Sequence, residues 1–539
     1  MSRGFSHHDR AHAPTVRRMM GYRKIVPLED LARTLETERA AGRRIVHCHG
    51  VFDLLHVGHV RHFQQARKLG DLLVVTLTPD EFVNKGVGRP AFGQALRAEF
   101  IAAIESVDYV AVNLWPTAVE TIRLLRPHVF AKGSEFRGLH DTIGHVSKES
   151  EAIQSIGGEM AFTDDLTFSS SALINQYLSQ FPDHVRQYLD GFAHRHTAED
   201  VLRPLRAAEE LKVLVIGETI IDDYVYCEAM GKSGKEPVLA TRLIDDQRYP
   251  GGVLACANHL ASFCRHVDLL TFLGEGGDEE LFVRRSLKRN VTPFFLYKTD
   301  SPTIVKKRYV EKYLGQKLFE VYSMNDTPLS EEIEAELRGL LSSRLSGYDL
   351  VIVADYGHGL LGPRTIELLA REAPRLCVNT QSNAGNHGFN MITKYPRAHY
   401  VCLAQREFAL ETRNQLLSPQ DMLRHVSDRL ACPRVMMTQG KYGSLFYTAP
   451  QQFDQVPAFA TTVVDRVGAG DAVLSLTSLC VAADAPAEVV AFIGNVVGAE
   501  AVTIMGNQRS IDRIELFRHI ECLLKTHDAS PAASLKVAA

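Results

Sequence analysis

Residues 49–63 read HGVFDLLHVGHVRHF. His56 and His59 bracket Gly58 in an H-x-G-H pattern. Apolar or small residues follow at Val60, Phe63, Ala66 and Leu69, a helical spacing that stops at Gly70. The preceding run, RRIVHCHG, is strand-like, and DLLVVTLT after the helix has the unbroken apolar character of a buried strand. The two histidines therefore stand where a strand ends and a helix begins.

The same rhythm continues outward. RAEFIAAIES reads as helix, DYVAVN as strand, AVETIRLLRP as helix and HVFAKGS as strand. This β-α-β-α order over residues 44–180 predicts a parallel, doubly wound sheet. Residues 181–210 are polar and rich in His, Arg and Glu, and are expected as a helical linker. At Leu211 a second α/β rhythm opens with KVLVIGET and runs to about residue 525 through DLVIVADYG, RLCVNTQ, AHYVCLA, RVMMTQG and GSLFYTA. The fold class is α/β with two doubly wound parallel-sheet domains. Residues 1–43 are expected as an N-terminal extension, and 526–539 have the composition of a disordered tail.

A chain of 539 residues has room for two to four domains. The formal charge of -4 supplies no basic field for nucleic acid. Nine cysteines without a C-x-x-C pair argue against a disulfide framework or structural zinc and for a reducing, cytoplasmic setting. No apolar run approaches the ~18 residues of a membrane span. The N-terminus lacks the apolar core of a secretory signal; it is basic and acid-poor, which leaves a transit peptide as the alternative to a plain extension.

Two imidazoles three residues apart at a helix N-terminus are suited to a polyphosphate, because main-chain N–H groups there favour an anion. Their donors gain most when charge builds on phosphorus oxygens in a transition state. Gly50 and Gly58 permit close backbone approach. A chance H-x-G-H is one alternative. Metal ligation is another, although no H-E-x-x-H spacing or cysteine cluster accompanies it. In the second half, VVDRVGAGDAVLSLTSLC (463–480) places Gly468, Ala469 and Gly470 before an apolar helix, where bare N–H groups form a pocket for negative oxygens. Asp471 follows, placed to accept a proton from an attacking hydroxyl, as phosphoryl transfer to an alcohol requires.

HGVFDLLHVGH, with ARKLGDLLVV, GRPAFGQALRAEFIAAIESVDYV, HVFAKGSEF and TFSSSALI in order, resembles the nucleotidyltransferase family that includes cytidylyltransferases and the adenylyltransferase of heptose biosynthesis. The resemblance implies that Phe52 and Asp53 shape the nucleotide loop and that His56 and His59 contact the triphosphate. It also implies that Lys132 handles phosphate, that Ser169, Ser170 and Ser171 open a helix at the nucleotide phosphates, and that Arg97 meets substrate. Arg97 as a surface helix residue and the serines as plain helix caps are the bland alternatives. The implied reaction is attack of a sugar-phosphate or polyol-phosphate oxygen on the α-phosphorus of ATP, or alternatively CTP, with Mg²⁺ assisting and pyrophosphate leaving.

GETIIDDYV, PGGVLACANHLASF, PTIVKKRYV, VADYGHGLL, MMTQGKYGS and DRVGAGDA resemble, in order, the ribokinase-like (PfkB) carbohydrate kinases, above all the kinase half of the bifunctional heptose-phosphate kinase/adenylyltransferase type. That implies Asp471 as base and Gly468 to Gly470 as anion hole. Asp222, Gly251 and Gly252 would line a sugar site, and Lys306 and Arg308 would contact sugar phosphate unless they lie on a solvated strand face. Thr438, Gly440 and Gly443 would lie near ATP unless they form a plain strand-to-turn exit, and Glu407 near Mg²⁺. Three departures stand out. Ala255 replaces an asparagine of G-G-x-x-N, although Asn258 is close by. Ala404 replaces the asparagine of N-x-x-E. Asn379-Thr380-Gln381 and the polar loop SNAGNHGFN replace a D-P-K-like strand end. The order of the halves is also reversed. The expectation is a bifunctional enzyme of nucleotide-sugar biosynthesis, acting on small-molecule sugar phosphate and nucleoside triphosphate, with no nucleic-acid or membrane partner. A homodimer is expected from the family. The alternative is one active nucleotidyltransferase head, with a kinase-like half that only binds sugar or regulates.

Overall fold

The computed structural model describes residues 24–83, 89–133, 145–163, 181–276, 278–313, 315–414 and 416–525. They form two compact units, one on each side of residues 164–180.

The first unit is built on five parallel strands, β1 (Ile45–Gly50), β2 (Leu72–Leu77), β3 (Tyr109–Val112), β4 (Val129–Gly133) and β5 (Glu159–Thr163). Their order is β3-β2-β1-β4-β5. The winding direction changes between β1 and β4, which pair with Val46 opposite Val129 and Cys48 opposite Ala131. A crevice outside the carboxyl ends of those two strands is where such sheets receive ligands. Period-two alternation sends Val46 and Cys48 toward Phe63, Ala98 and Ile101, while Ile45 meets Leu28, Leu31 and Leu35 of the helix Leu28–Ala40. Residues 24–41, expected within an N-terminal extension, therefore belong to this unit. The leucines at 28, 31 and 35 are the apolar stripe of an amphipathic helix that covers the sheet.

The second unit holds thirteen strands: β6 (Val213–Gly217), β7 (Thr219–Lys232), β8 (Leu239–Gly252), β9 (Val267–Gly274), β10 (Val291–Lys298), β11 (Ile304–Glu311), β12 (Gln316–Ser323), β13 (Leu350–Asp355), β14 (Leu376–Thr380), β15 (Tyr400–Ala404), β16 (Arg434–Thr438), β17 (Ser444–Thr448) and β18 (Gln452–Val456). Nine form a sheet in the order β10-β9-β6-β13-β14-β15-β16-β17-β18. It is parallel as far as β16, whereas β17 and β18 are antiparallel. The purely parallel expectation fails at this edge for a geometric reason. The short turn Gln439–Gly443 joins β16 to β17, and a parallel neighbour would need a crossover of about a dozen residues. The winding reverses between β6 and β13, so Glu218 and Tyr356, which follow them, open on that switch point.

The other four strands make a separate sheet, β12-β11-β7-β8, that sequence patterning did not reveal. Its long arms β7 and β8 pair from Thr219 opposite Gly252 to Lys232 opposite Leu239, and the outer part of β8 is exposed. With little to bury, those residues carry no clean alternation.

Residues 181–210 are not a free linker. The helices Asp183–Arg195 and Ala198–Ala207 bury Val185, Leu189, Phe192, Val201, Leu202 and Leu205 in the core of the second unit. Phe192 stacks on Phe492 with ring centroids 4.2 Å apart. The polar composition belongs to the outer faces alone.

Candidate functional site

In the first unit the chain leaves β1 at Gly50 and turns through Phe52, whose φ of 49° is left-handed. The Phe52 ring lies against Gly50, where a Cβ would come within 3.0 Å of Cζ. It meets the His59 ring edge-on at 5.4 Å and Phe63 at 5.2 Å. Asp53 is 1% exposed and accepts hydrogen bonds from Arg89 Nη1 and the Ala91 N–H, both at 2.5 Å. It shapes the loop from within, held by these protein donors.

His56 caps the helix Val57–Arg67. The Gly58 N–H donates to His56 Nδ1 at 3.1 Å, and the His56 N–H donates to His59 Nδ1 at 3.4 Å. Gly58 thus gives its N–H to the cap. Because each Nδ1 accepts, each neutral ring carries its hydrogen on Nε2. The rings lie face to face, with centroids 4.0 Å apart and planes at 33°. Burial lowers the His56 pKa, which keeps it neutral. The motif is therefore a pair of neighbouring imidazoles whose Nδ1 atoms both accept backbone N–H groups and whose hydrogens therefore lie on Nε2.

Lys132, at the end of β4, faces the same switch point and is paired with the buried Glu149 carboxylate. Beside it, His49 is pushed down to about 3, by burial first and the Lys132 charge second. The Thr76 hydroxyl bridges His47 Nε2 at 2.7 Å and His49 Nδ1 at 2.8 Å.

Arg97 departs from expectation. It is 1% exposed, neither on the surface nor open to substrate. Its guanidinium donates to Phe92 O at 2.9 Å, Val51 O at 2.5 Å, Thr78 O at 2.9 Å and Asp80 at 2.5 Å. It is a strut that ties the loops after β1 and β2 to its own helix. Ser169, Ser170 and Ser171 lie outside the described residues.

In the second unit, Asp222 on β7 lies beside Lys306 of β11 and forms an ion pair with Arg308, which also bonds Glu320 at 3.1 Å. Lys306 and Arg308 are each 6% exposed, which removes the solvated-face alternative. Burial raises the Asp222 pKa against the pull of Arg308, and burial lowers that of Lys306. Gly251 is required here, since a Cβ would stand 2.8 Å from Asp222 Cγ. Gly252, with φ 56°, ends β8 directly before the helix Val253–Ala261.

The helix Ala469–Ala482 begins after Gly468, whose φ is 80°. A Cβ on Gly468 would collide with the Asn507 side chain, whereas one on Gly470 would meet nothing within 4 Å. The Gly470 position thus faces free space, while the Ala469 N–H donates to Arg466 O at 3.4 Å. Asp471 Oδ1 accepts a hydrogen bond from the Tyr356 hydroxyl at 2.8 Å. Burial pushes the Asp471 pKa up to about 7; Tyr356 and Lys306 lower it and Asp222 raises it. Asp222, Lys306 and Asp471 therefore share one electrostatic neighbourhood.

The remaining expected residues are placed as follows. Thr438 ends β16, and Gly440 (φ 57°) and Gly443 (φ 92°) make the tight turn to β17. Glu407 is largely buried; Oε1 accepts the Ser382 N–H at 3.4 Å, Oε2 has no partner, and burial raises its pKa. Asn258 does not stand in for the asparagine missing at Ala255. Its Nδ2 donates to Ser286 O and its Oδ1 accepts the Lys288 N–H, each at 2.9 Å. Sequence reading gave no role to Glu218 or Tyr356, although both directly follow strands at the switch point. Glu218 accepts the N–H groups of Tyr356 at 3.0 Å and His358 at 2.9 Å. Among the described residues no helix is long and apolar enough to cross a membrane. All nine cysteines are buried and free.

Comparison with known proteins follows this division. Residues 47–175 match the cytidylyltransferase-like family model, and residues 210–514 match that of the pfkB family carbohydrate kinases, so the nucleotidyltransferase-like half comes first. The chain is 39% identical over 163 residues to the bifunctional protein HldE of Pelobacter propionicus, covering 29% of this chain and 32% of that one. It is 41% identical over 149 residues to HldE of Geobacter sulfurreducens, covering 27% and 29%. The aligned stretch thus spans about a third of the length of these relatives. Among solved structures, phosphofructokinase-2 of Escherichia coli in complex with potassium aligns with 58% of this chain and 99% of its own at 17% identity and a TM-score of 0.49. Ribokinase of Thermotoga maritima covers 59% and 100% at 18% identity and a TM-score of 0.46. With the pfkB model matching more than half of its length, the chain belongs to the pfkB family of carbohydrate kinases, preceded by a cytidylyltransferase-like domain.

Proposed function

We propose that this protein is a two-headed enzyme of nucleotide-sugar biosynthesis. The second unit phosphorylates a sugar or sugar phosphate with ATP, and the first transfers a nucleotidyl group to a sugar 1-phosphate and releases pyrophosphate. A heptose of the surface-polysaccharide type is the leading substrate, from the resemblance to the heptose enzymes. The observation that carries the reading is a pair of independent arrangements suited to phosphate: neighbouring His56 and His59 with both hydrogens on Nε2, and Asp471 in the first turn of a helix that follows Gly468.

In the first unit the two Nε2–H groups donate to triphosphate oxygens as charge grows on them, and Lys132 adds a positive charge at the same strand ends. In the second, Asp222 and Lys306 hold the sugar end, Asp471 removes the proton of the attacking hydroxyl, and the amides of the Gly468–Gly470 turn receive the transferred phosphoryl oxygens. Glu407 suits a neighbouring Mg²⁺, because its buried Oε2 lacks any partner. Among the described residues no group of three or more His, Cys, Asp or Glu could hold a metal, so such an ion would complete its shell with phosphate oxygens and water. When bound, Mg²⁺ neutralises charge on the nucleotide phosphates.

A second reading keeps only the first head active, because Ala255 and Ala404 remove polar side chains. The intact Asp471–Tyr356 pair favours the first reading. The exposed Leu243, Ile244, Phe319 and Val321 support a homodimer contact through the four-stranded sheet.

The test uses the full chain with ATP or CTP and a panel of sugar phosphates that includes heptose phosphates, following pyrophosphate and ADP separately. His56→Ala should stop pyrophosphate release and spare ADP formation, and Asp471→Asn should do the reverse. Neither product appearing across the panel refutes the proposal. Pyrophosphate alone, unaffected by Asp471→Asn, supports the single-head reading.

A further inference from the structure

The polar loop SNAGNHGFN, residues 382–390, has no counterpart in the scheme above, yet its amides converge on one short stretch of backbone. Asn383 Nδ2 donates to Tyr356 O at 2.8 Å, and Asn386 Nδ2 donates to the same oxygen at 2.7 Å. Asn390 Nδ2 donates to Asp355 O at 2.8 Å. From the other side, the Glu218 carboxylate holds the N–H groups of Tyr356 and His358. The backbone of residue 356 is thus gripped at its N–H by a buried carboxylate and at its C=O by two amides. A surface turn gains nothing from such bracing. Tyr356 itself is 2% exposed, and its hydroxyl reaches Asp471 Oδ1.

We propose that the asparagine loop and Tyr356 form one positioning unit for Asp471: the loop fixes the tyrosine, and the tyrosine hydroxyl holds one carboxylate oxygen so that the other is aimed at the hydroxyl to be phosphorylated. This rests on the kinase reading of the second unit. The chemistry is directional. A buried tyrosine keeps its proton, because burial and the facing carboxylate raise its pKa far above the ordinary value, so it is a permanent donor. A donor on Oδ1 favours the ionised carboxylate, opposing the burial that disfavours it. The other charged groups that face Asp471 are Asp222, which opposes ionisation, and Lys306, which favours it. Cys256 Sγ, 3.9 Å from the Tyr356 oxygen, completes the packing around the pair.

The test compares Tyr356→Phe, Asn386→Ala and the double variant in the full chain. Tyr356→Phe should leave the KM for ATP unchanged and move the acid limb of kcat/KM upward by about one pH unit, a loss of about fivefold at pH 7 that recovers above about pH 8.5. Asn386→Ala should slow turnover in the presence of Tyr356 and have no further effect once it is phenylalanine. A purely structural role would lower activity equally at every pH, and the two substitutions would then act independently. Infrared difference titration of the carboxyl, with Asp471→Asn as blank, reads the same quantity without any substrate. If no sugar is phosphorylated, the kinase reading falls while this titration still decides the positioning unit. An Asp471 titration that is the same with and without the Tyr356 hydroxyl overturns the inference.

Discussion

His56 caps a helix and has a second task under the proposal above, and one pair of substitutions divides them. Its Nδ1 caps a helix by accepting the Gly58 N–H at 3.1 Å, while Nε2 carries the hydrogen assigned to phosphate. Asparagine places its side-chain oxygen near the Nδ1 position, so His56→Asn keeps the cap and removes the donor. His56→Ala removes both. Loss of an N-cap acceptor costs about 1 kcal/mol, which for a unit of this size lowers the unfolding midpoint by about 4 °C. Loss of a donor aimed at developing charge costs about 3–4 kcal/mol of transition-state stabilisation, or about 10²–10³ in rate. Both variants should therefore lose pyrophosphate-releasing activity to the same extent. Only the alanine variant should melt earlier, as read by hydrogen exchange in β1 and β2. An asparagine variant within about threefold of wild-type activity would refute the role of Nε2. Equal melting of the two variants would refute the capping role.

Two further outcomes follow from buried groups in the same unit. Arg97→Met leaves the carbonyls of Val51, Thr78 and Phe92 without their donor and should destabilise the unit by about 3 kcal/mol, measured by urea titration; a loss below about 1 kcal/mol would show that the strut is dispensable. Acid should also weaken this unit early. Burial depresses His47, His49 (to about 3) and His56 below the free value of 6.5, so the unfolded chain binds protons first. Stability should be full above about pH 6.5 and fall as pH drops toward 3. A denaturation midpoint for β1 and β2 that stays constant from pH 7 to pH 4.5 would contradict this.

Local geometry was legible where backbone and side chain state the same thing. H-x-G-H announces a strand-to-helix turn with two imidazoles side by side, and the G-A-G-D run announces a helix start with a carboxylate in its first turn. What escaped was long-range. Nothing near Arg97 says that its partners lie at Val51 and Thr78, so a buried strut looks like a substrate ligand. Asp53 reads as a loop-shaping residue, yet nothing near it in the sequence names its partners Arg89 and Ala91. Tyr356 and Asp471 are 115 residues apart, and only the winding of the sheet brings them together. The four-stranded sheet escaped because the outer arms of β7 and β8 are exposed and two of the buried positions of β11 are taken by Lys306 and Arg308, so none of them shows an apolar alternation. The helix Leu28–Ala40 was hidden by reading a charged stretch by its content instead of its spacing.

The brace formed by Asp183–Arg195 and Ala198–Ala207 sets where the two halves can be cut apart. A fragment starting at residue 211 would strip the stacked ring of Phe192 from Phe492 and leave a greasy scar on the kinase half, inviting aggregation before any assay begins. Scissors placed ahead of residue 181 spare that seam. The kinase half thus carries its own leading pair of helices, and any natural or engineered shuffling of the heads would have to move them as luggage with it.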